Sequence, residues 1–181
     1  EMLETVEFLN NDPEIDGYII QLPLPKQIDE NKVINAIKPA KDVDGFTSIN
    51  AGRMQLGHPC YIPATPNGIM ELIKRSGVET VGKNVVVLGR SNIVGTPMAI
   101  LMSRKGIDST VTLCHSRTKN LPEICRNADI IVAAIGKQGF VTADMVKPGA
   151  VVIDVDIHRI EDPTSPKGYK ILGDVDYEEV Y

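Results

Sequence analysis

The sequence is poor in aromatic residues, in cysteine and in long apolar runs, and these shortages exclude several classes of protein. The 181 residues include no Trp, three Phe, five Tyr and three Cys. No apolar run approaches the roughly 20 residues that a membrane-spanning helix needs, so we predict a soluble chain with no membrane partner. The cysteines are odd in number and lack a C-x-x-C pair, which argues against a disulfide framework or zinc site and favours reduced cytoplasmic thiols.

An excess of positive charge is also lacking. The 19 basic and 24 acidic residues give a net charge of −5, which argues against a nucleic-acid partner held by phosphate contacts. Any bound phosphate must therefore be held by a local group of cations. The remaining composition is that of an ordinary globular protein and excludes disorder. No targeting peptide is visible and the chain does not begin with Met, so we expect it to be part of a longer protein.

From Thr65 onward, predicted strands alternate with predicted helices. Thr65 is the expected N-cap of a helix with Pro66 at its first position, and Gly77 is the expected stop. Helices are also predicted from the glycine turn to Lys105 and at 121–127. Strands are predicted at 83–88, 110–114, 129–134 and 150–155. This order predicts an α/β fold, with a Rossmann-like parallel-sheet domain over residues 65–181.

Residues 1–64 have a different pattern. We predict a helix before Asn10, a strand at 17–21 and a helix at 29–37. One strand and two helices cannot close a sheet. Residues 1–64 are therefore predicted to be either part of a second α/β domain or an extension packed on the first.

A glycine turn follows the strand at 83–88. Gly89 allows the chain to turn tightly, and Gly95 at the helix start allows the backbone and helix N-terminus to approach a phosphate. The spacing is G-x-S-x-x-x-G, with Ser91 at the third position, where dinucleotide-binding turns usually have G-x-G-x-x-G. A simple connection between strand and helix remains an alternative.

The end of the next strand indicates which dinucleotide would fit. An Asp or Glu usually holds a free ribose 2′-hydroxyl there, whereas a 2′-phosphate requires cations and hydroxyl donors. The strand ends Cys114-His-Ser116-Arg117, without an acid. Together with Arg90, Ser116 and Arg117 would form a local anion site, which favours NADP over NAD. The alternative is that they are ordinary exposed loop residues.

Two segments of the first domain are candidates for a substrate site. Gln21-Leu-Pro-Leu-Pro25 lies at a predicted strand end, where Gln21 could orient a polar substrate or bond to loop backbone. Lys41-Asp-Val-Asp-Gly45 places two carboxylates before a glycine, which is typical of a turn and could also bind an amino-pyrimidine ring. The alternation of Asp154, Asp156 and His158 suggests a metal site only weakly, because no further ligand is evident.

These segments together resemble the methylenetetrahydrofolate dehydrogenase/cyclohydrolase family. The resemblance is carried, in order, by Gln21-Leu-Pro-Leu-Pro25, Lys41-Asp-Val-Asp-Gly45, Pro63-Ala-Thr-Pro66, Gly89-Arg-Ser91 with Val94-Gly95, Cys114-His-Ser116 and Gly173-Asp-Val175. It covers nearly the whole chain. It implies an NADP-linked enzyme of one-carbon metabolism that oxidises the methylene bridge of a tetrahydrofolate and hydrolyses the methenyl product.

The resemblance also implies roles for particular residues. Gln21 would partner a catalytic lysine, and Asp44 would hold the pterin ring. The implied substrate contacts are Ile20, Gln21, Leu22 and Asp44. The implied cofactor contacts are Thr65, Gly89, Arg90, Ser91, Ser116, Arg117 and Ile157. A cytoplasmic homodimer formed through the nucleotide domain is implied as well.

The chain departs from the family pattern in three places. It lacks a Tyr-x-x-x-Lys helix with the catalytic lysine and a Pro-Val-Pro-Gly-Gly segment. Asp156 stands where the family usually has Gly before Ile157. Two alternatives to the full enzyme are a noncatalytic NADP-binding fragment and a different Rossmann dehydrogenase, which the folate motifs of the first 64 residues disfavour.

Overall fold

The computed structural model of the chain describes all 181 residues, in two units, Glu1–Asn67 and Gly68–Tyr181. In chain order the elements are α1 (Met2–Asn11), α2 (Glu30–Ala36), α3 (Ser48–Leu56), α4 (Ala64–Arg75), β1 (Asn84–Leu88), α5 (Gly95–Ser103), β2 (Thr110–Cys114), α6 (Leu121–Arg126), β3 (Ile130–Ala133), a 3-10 turn (Ala143–Met145), β4 (Val151–Asp154), β5 (His158–Glu161), β6 (Tyr169–Leu172) and α7 (Tyr177–Val180). The alternation of strands and helices from β1 to β4 confirms the predicted α/β class.

Four strands form one parallel sheet in the order β2-β1-β3-β4. Val86 of β1 is aligned with Thr112 of β2 on one side and with Ile131 of β3 on the other. Ile131 is in turn aligned with Val152 of β4. The predicted parallel sheet is therefore confirmed, and β1 is one of its two interior strands.

The apolar run in β1 arises because both faces of the sheet are covered. Val85 and Val87 belong to the core that contains Ile69 of α4 and Met98 of α5. Val86 and Leu88 belong to a second core, together with residues of α6 and of the segment after β3. Successive residues of a strand point to opposite faces, so a strand covered on both sides has no polar position between its ends.

Helix α4 begins two residues earlier than predicted, at Ala64 and not at Pro66. Its first residue is Ala64, and the N–H of Asn67 bonds to the carbonyl of Pro63 at 3.0 Å. Thr65 is thus inside the first turn and is not the N-cap. The predicted stop is confirmed, because the N–H of Val78 bonds to Ile73 O at 3.1 Å while Gly77 has a φ of 66°.

In the first unit the predicted helices are present as α1 and α2, but the strand predicted at 17–21 is wrong. This segment makes only an isolated parallel bridge between Tyr18 and Asp42. A strand needs a neighbour that continues the ladder, and the first unit has none. Its core instead joins α1, α2 and Ile20, through Val6, Val33, Ile34 and Ile37. Helix α3, which was not predicted, is capped by the Thr47 side chain.

The antiparallel hairpin of β5 and β6 was also not predicted from the sequence. His158 is aligned with Leu172, and the Arg159 guanidinium lies 3.8 Å from the centre of the Tyr169 ring. Its residues are exposed or half-buried and none is buried, so the hairpin lacks the pattern of a buried strand. Because β4 ends at Asp154 and β5 begins at His158, the alternation of acidic residues noted above does not lie within one strand. No helix in the chain has the length and apolar character that crossing a membrane requires.

Candidate cofactor and substrate sites

A cavity in the second unit lies at the carboxyl ends of three strands. The chain passes from β1 to β2 on one side and later to β3 on the other side of β1. Ligands of open α/β sheets bind at such a reversal of strand order. The cavity, about 630 Å³, is lined by Leu88, Gly89, Arg90, Ser91, Cys114, His115, Ser116, Thr118, Leu121, Ala134, Ile135, Lys137 and Phe140. Thus the turns after β1, β2 and β3 form one site.

The glycine turn packs backbone directly against backbone. Gly89 has a φ of 101°, and a Cβ at this position would overlap the carbonyl oxygen of Ala134 in the turn after β3. A Cβ at Gly95 would overlap the carbonyl oxygen of Gly89. Both predicted glycines therefore have a steric role, because they let the turn between β1 and α5 pack closely.

The Ser91 side chain stabilises the same turn by hydrogen bonds to its backbone. Its Oγ accepts hydrogen bonds from the N–H groups of Val94 at 3.1 Å and Gly95 at 3.4 Å. The Thr96 hydroxyl bonds to Arg90 O at 3.3 Å. Because the Ser91 hydroxyl only accepts in these bonds, its proton remains able to donate toward the cavity.

The turn after β2 is also held by its own polar groups. Thr118 Oγ1 accepts from the His115 N–H at 2.9 Å, and His115 Nδ1 accepts from the Arg117 N–H at 3.2 Å. Ser116 lines the cavity together with Arg90 and Ser91. With Gly89, the structure thus brings together four of the predicted cofactor residues, whereas Arg117 is in the same turn as Ser116 but does not line the cavity.

Lys137 and Phe140 are among the cavity residues that the sequence reasoning missed. Lys137 and Phe140 follow β3, and Lys137 Nζ lies 4.9 Å from the centre of the Phe140 ring. The same rule that pointed to the turns after β1 and β2 would have found them if applied to the third strand. The two other predicted cofactor residues, Thr65 and Ile157, do not line this cavity; Thr65 lies in α4, and the Ile157 side chain is 74% exposed.

The Asp154, Asp156 and His158 side chains all bond to neighbouring loops. Asp154 accepts from the N–H groups of Asp174 at 2.8 Å and Val175 at 3.2 Å. His158 Nε2 lies 2.8 Å from Asp174 Oδ1. No group of three His, Cys, Asp or Glu side chains is arranged to hold a metal ion.

Asp156, at the position where the family usually has glycine, shares a donor with Asp174. The Gly136 N–H is 2.8 Å from Asp156 Oδ2 and 3.0 Å from Asp174 Oδ2. Burial raises the pKa of Asp156 and outweighs the lowering effect of the hydrogen bond from the Gly136 N–H, and the charge of Asp174 raises this pKa further. Burial also raises the pKa of Asp174, but hydrogen bonds from His158 and the turn outweigh this and bring the pKa below its usual value. Protons therefore bind to Asp156 before Asp174.

In the first unit the two carboxylates of the 41–45 segment have different environments. Asp42 is buried and accepts from the Thr47 N–H at 2.8 Å and from Asn50 Nδ2 at 2.8 Å. Asp44 is half-buried and makes no hydrogen bond with its side chain. Burial, and then the charge of Asp42, raise the pKa of Asp44. Only Asp44 is therefore available to a ligand.

The other predicted substrate residues lie around Gln21. Its exposed amide Nε2 donates to Leu22 O at 3.1 Å. Ile20 is buried in the core of the first unit, and Leu22 packs against that core. A second cavity, about 760 Å³, is lined by Gln21 and Ile20 together with residues of α1 such as Val6. Asp44 and Leu22 do not line this cavity.

We expect Asp156→Asn to change how stability depends on pH. An acid whose pKa is raised by folding binds its proton more tightly in the folded protein. The free energy of unfolding therefore falls as pH rises from 3.8, the usual value, through the raised pKa of Asp156. Asparagine removes this loss, so the variant should be the more stable protein above that pKa. Urea unfolding at a series of pH values measures the difference.

Asp162→Asn serves as a comparison, because it should change stability in the opposite direction. Hydrogen bonds from the Thr164 hydroxyl and N–H lower the pKa of Asp162, so this variant should lose stability where Asp156→Asn gains it. A loss of stability in both variants at neutral pH would contradict the raised pKa of Asp156.

Two family models match the chain. Residues 63–181 match the model described as "Tetrahydrofolate dehydrogenase/cyclohydrolase, NAD(P)-binding domain", and residues 1–44 match "Tetrahydrofolate dehydrogenase/cyclohydrolase, catalytic domain". The "Bifunctional protein FolD" of Cytophaga hutchinsonii is 59% identical over 182 residues, which cover 99% of this chain and 63% of that protein. That of Flavobacterium johnsoniae is 61% identical, with coverage of 99% and 62%. The chain thus spans somewhat more than three fifths of the length of these relatives.

Solved structures of enzymes from the same family are also similar to this chain. The bifunctional enzyme FolD, methylenetetrahydrofolate dehydrogenase/cyclohydrolase, from Campylobacter jejuni has a TM-score of 0.90 at 42% identity, with coverage of 99% of this chain and 61% of that chain. The Trypanosoma brucei N5,N10-methylenetetrahydrofolate dehydrogenase-cyclohydrolase, complexed with NADP cofactor and inhibitor, has a TM-score of 0.89 at 39% identity, with the same coverage. From these matches and the geometry of its second unit, the chain belongs to the tetrahydrofolate dehydrogenase/cyclohydrolase family.

Proposed function

We propose that the protein uses NADP to oxidise 5,10-methylenetetrahydrofolate to the methenyl compound and then hydrolyses this product to 10-formyltetrahydrofolate. Residues 65–181 would form the NADP-binding domain and residues 1–64 the C-terminal part of the folate-binding domain. The observation that carries the cofactor assignment is the lining of the cavity in the second unit. It contains Arg90 and Lys137 but no acidic side chain, although the protein as a whole is acidic.

The residues of this cavity fit NADP in shape and in charge. The absence of a Cβ at Gly89 and Gly95 keeps the turn between β1 and α5 compact, so that a phosphate would lie close to its backbone. Arg90 and Ser116 would hold the 2′-phosphate through charge-assisted hydrogen bonds, with Arg117 in the adjoining turn. Ser91 would donate its hydroxyl proton to the cofactor, and Thr65 and the backbone of Ile157 would complete the site. Bound NADP would supply the hydride acceptor.

The dehydrogenase step does not require a general base from the protein. The bridging carbon of the substrate lies between two nitrogens, and a nitrogen lone pair expels hydride to leave a resonance-stabilised amidinium. Positioning is therefore the main requirement. Asp44, with no internal hydrogen bond, would accept hydrogen bonds from the pterin ring. Ile20, Gln21 and Leu22 would contact the substrate from the other segment of this unit.

The hydrolase step needs an activated water molecule and thus a base. In the family this is a lysine of a Tyr-x-x-x-Lys helix, which Gln21 would partner. None of the five tyrosines of this chain is followed four residues later by lysine. Lys41, for example, donates from Nζ to Leu9 O at 2.8 Å and to Asp12 O at 2.6 Å, which gives it a structural role.

The absence of a Tyr-x-x-x-Lys motif favours a second candidate function for the 181 residues alone, namely an NADP-binding module without catalysis. NADP binding with no turnover by the 181-residue chain would support it. Turnover by that chain would refute it.

The proposed oxidation is tested by incubating the protein with methylenetetrahydrofolate and NADP and following NADPH absorbance. We expect NADPH to form, and Asp44→Asn to lower kcat/KM by about 10- to 100-fold, because a charged acceptor for the pterin is lost. NADP binding should be unchanged. Asp16→Asn, an exposed acid of the same unit, is the matched control and should behave as the unsubstituted protein. An Asp44→Asn enzyme with full kcat/KM would contradict the role of Asp44.

The cofactor preference is tested with the double variant Arg90→Ala, Ser116→Ala. The loss of two partners of the 2′-phosphate should weaken NADP binding by about 100-fold and NAD binding only a few-fold. Titration calorimetry with each dinucleotide measures both affinities. Arg75→Ala removes an arginine that pairs with Glu71, outside the cavity, and should change neither. Equal weakening of both cofactors would contradict the 2′-phosphate assignment.

We also propose that the protein is a cytoplasmic homodimer formed through the second unit. In its support, Ile171 of β6 is 60% exposed and Tyr177 of α7 is 64% exposed, as is common at interfaces. Sedimentation should give twice the 19.7 kDa of one chain, and Ile171→Lys should shift the mass toward the monomer. A monomeric mass for the unsubstituted chain would contradict this.

A further inference from the structure

The side chain of Asp174 forms the most highly bonded buried charge in the second unit. It is 0% exposed. Its Oδ2 accepts from the N–H groups of Ile135 at 2.6 Å and Gly136 at 3.0 Å, and its Oδ1 accepts from the Lys137 N–H at 2.7 Å. His158 Nε2 lies 2.8 Å from Oδ1. Neither the proposed cofactor contacts nor the proposed substrate contacts account for this arrangement.

The three backbone donors belong to the turn that forms one wall of the cavity. Ile135 and Lys137 line the cavity, and no helix or strand includes these residues. Gly136 has a φ of 72°, a left-handed conformation that lets successive N–H groups converge on one anion. Such a group of N–H donors commonly binds a phosphate, but here the anion is a carboxylate of the protein itself.

Asp174 is itself held in place from the side of the sheet. Its N–H donates to Asp154 Oδ1 at 2.8 Å, at the end of β4, and its carbonyl accepts from the Val141 N–H at 3.0 Å. A Cβ at Gly173 would overlap the Asp154 carboxylate, so the backbone must approach this acid closely. The Asp174 carboxylate thus connects the cavity wall to a rigid part of the fold.

We propose that Asp174 is a positioning residue for the cofactor site, and that its carboxylate holds Ile135 and Lys137 where the cofactor contacts them. This role rests on the proposed NADP function. It acts through the turn, because the carboxylate is fully occupied by hydrogen bonds from the protein. Asn at this position would retain one acceptor oxygen but would direct an NH₂ group toward backbone N–H donors, leaving at least one of them unsatisfied.

The experiment is calorimetric titration of Asp174→Asn with NADP. We expect the Kd to rise by about tenfold while the binding stoichiometry stays at that of the unsubstituted protein. The reason is that displacement of the turn at residues 135–137 would weaken NADP binding to the same extent in every molecule. A merely structural role would give the opposite result, in which a misfolded fraction lowers the stoichiometry and the remaining sites bind with unchanged Kd. In the same samples, the amide proton resonances of residues 135–137 should shift.

Asp162→Asn is the matched control, since it makes the same chemical change in the turn between β5 and β6, where Asp162 accepts from the Thr164 N–H at 3.0 Å. It should leave the Kd and the resonances of residues 135–137 unchanged. An unchanged Kd for NADP in Asp174→Asn would overturn the proposed role of Asp174 but not the proposed cofactor. Failure of the unsubstituted protein to bind NADP would overturn the proposed cofactor and this role with it.

Hydrogen exchange on the unsubstituted protein tests the same role without relying on the folding of the variant. The amides of Ile135, Gly136 and Lys137 lie in a turn whose side chains are exposed, yet they should exchange slowly without cofactor because each donates to Asp174. Exchange at the rate of a free loop would overturn the proposal.

Discussion

The structure of the second unit depends on the interior position of β1, which is hydrogen-bonded to β2 on one side and to β3 on the other. This pairing continues past the strand ends, where the Gly89 N–H bonds to Cys114 O at 3.0 Å and the Ala134 N–H bonds to Leu88 O at 2.9 Å. Three turns are thereby drawn to one edge of the sheet. The contact of Gly89 with the backbone of Ala134 requires the absence of a side chain, so the glycine is a consequence of the strand order. The cavity, its backbone donors and its cations all follow from this arrangement.

Both units use a buried aspartate to organise a turn, and this explains how an acidic protein can offer a site to an anion. Asp42 accepts from the backbone around Thr47 in the first unit, and Asp174 accepts from the turn after β3 in the second. Their charges are neutralised by N–H donors within the protein. The cavity lining itself contains no acid. A net charge of −5 therefore coexists with a local surplus of cations at the site where we propose that a 2′-phosphate binds.

The elements that the sequence predicted correctly are those with strong local signals. β1, β3 and β4 are short runs of mostly apolar residues, β2 alternates Thr with apolar residues, and Gly77 ends α4 as expected. The errors occurred where local pattern and tertiary context disagree. Residues 17–21 have an apolar pattern but no neighbouring strand, whereas β5 and β6 have no buried residue and pair with each other. At the site, the turns after β1 and β2 contain recognisable motifs, whereas Lys137 lies in a turn without one.

The sequence by itself determined the order of strands and helices from β1 to β4, the glycine turn and the absence of an acid at the end of β2, because these depend on residues close together in the chain. Only the tertiary structure decided which polar groups remain available to a ligand. Asp44 and Asp42 are two residues apart and look alike in the sequence, but folding occupies Asp42 and leaves Asp44 unbonded. Asp174 reaches Ile135 across 39 positions of the chain. Hydrogen bonds over such separations depend on the packing of the sheet, which no local pattern encodes.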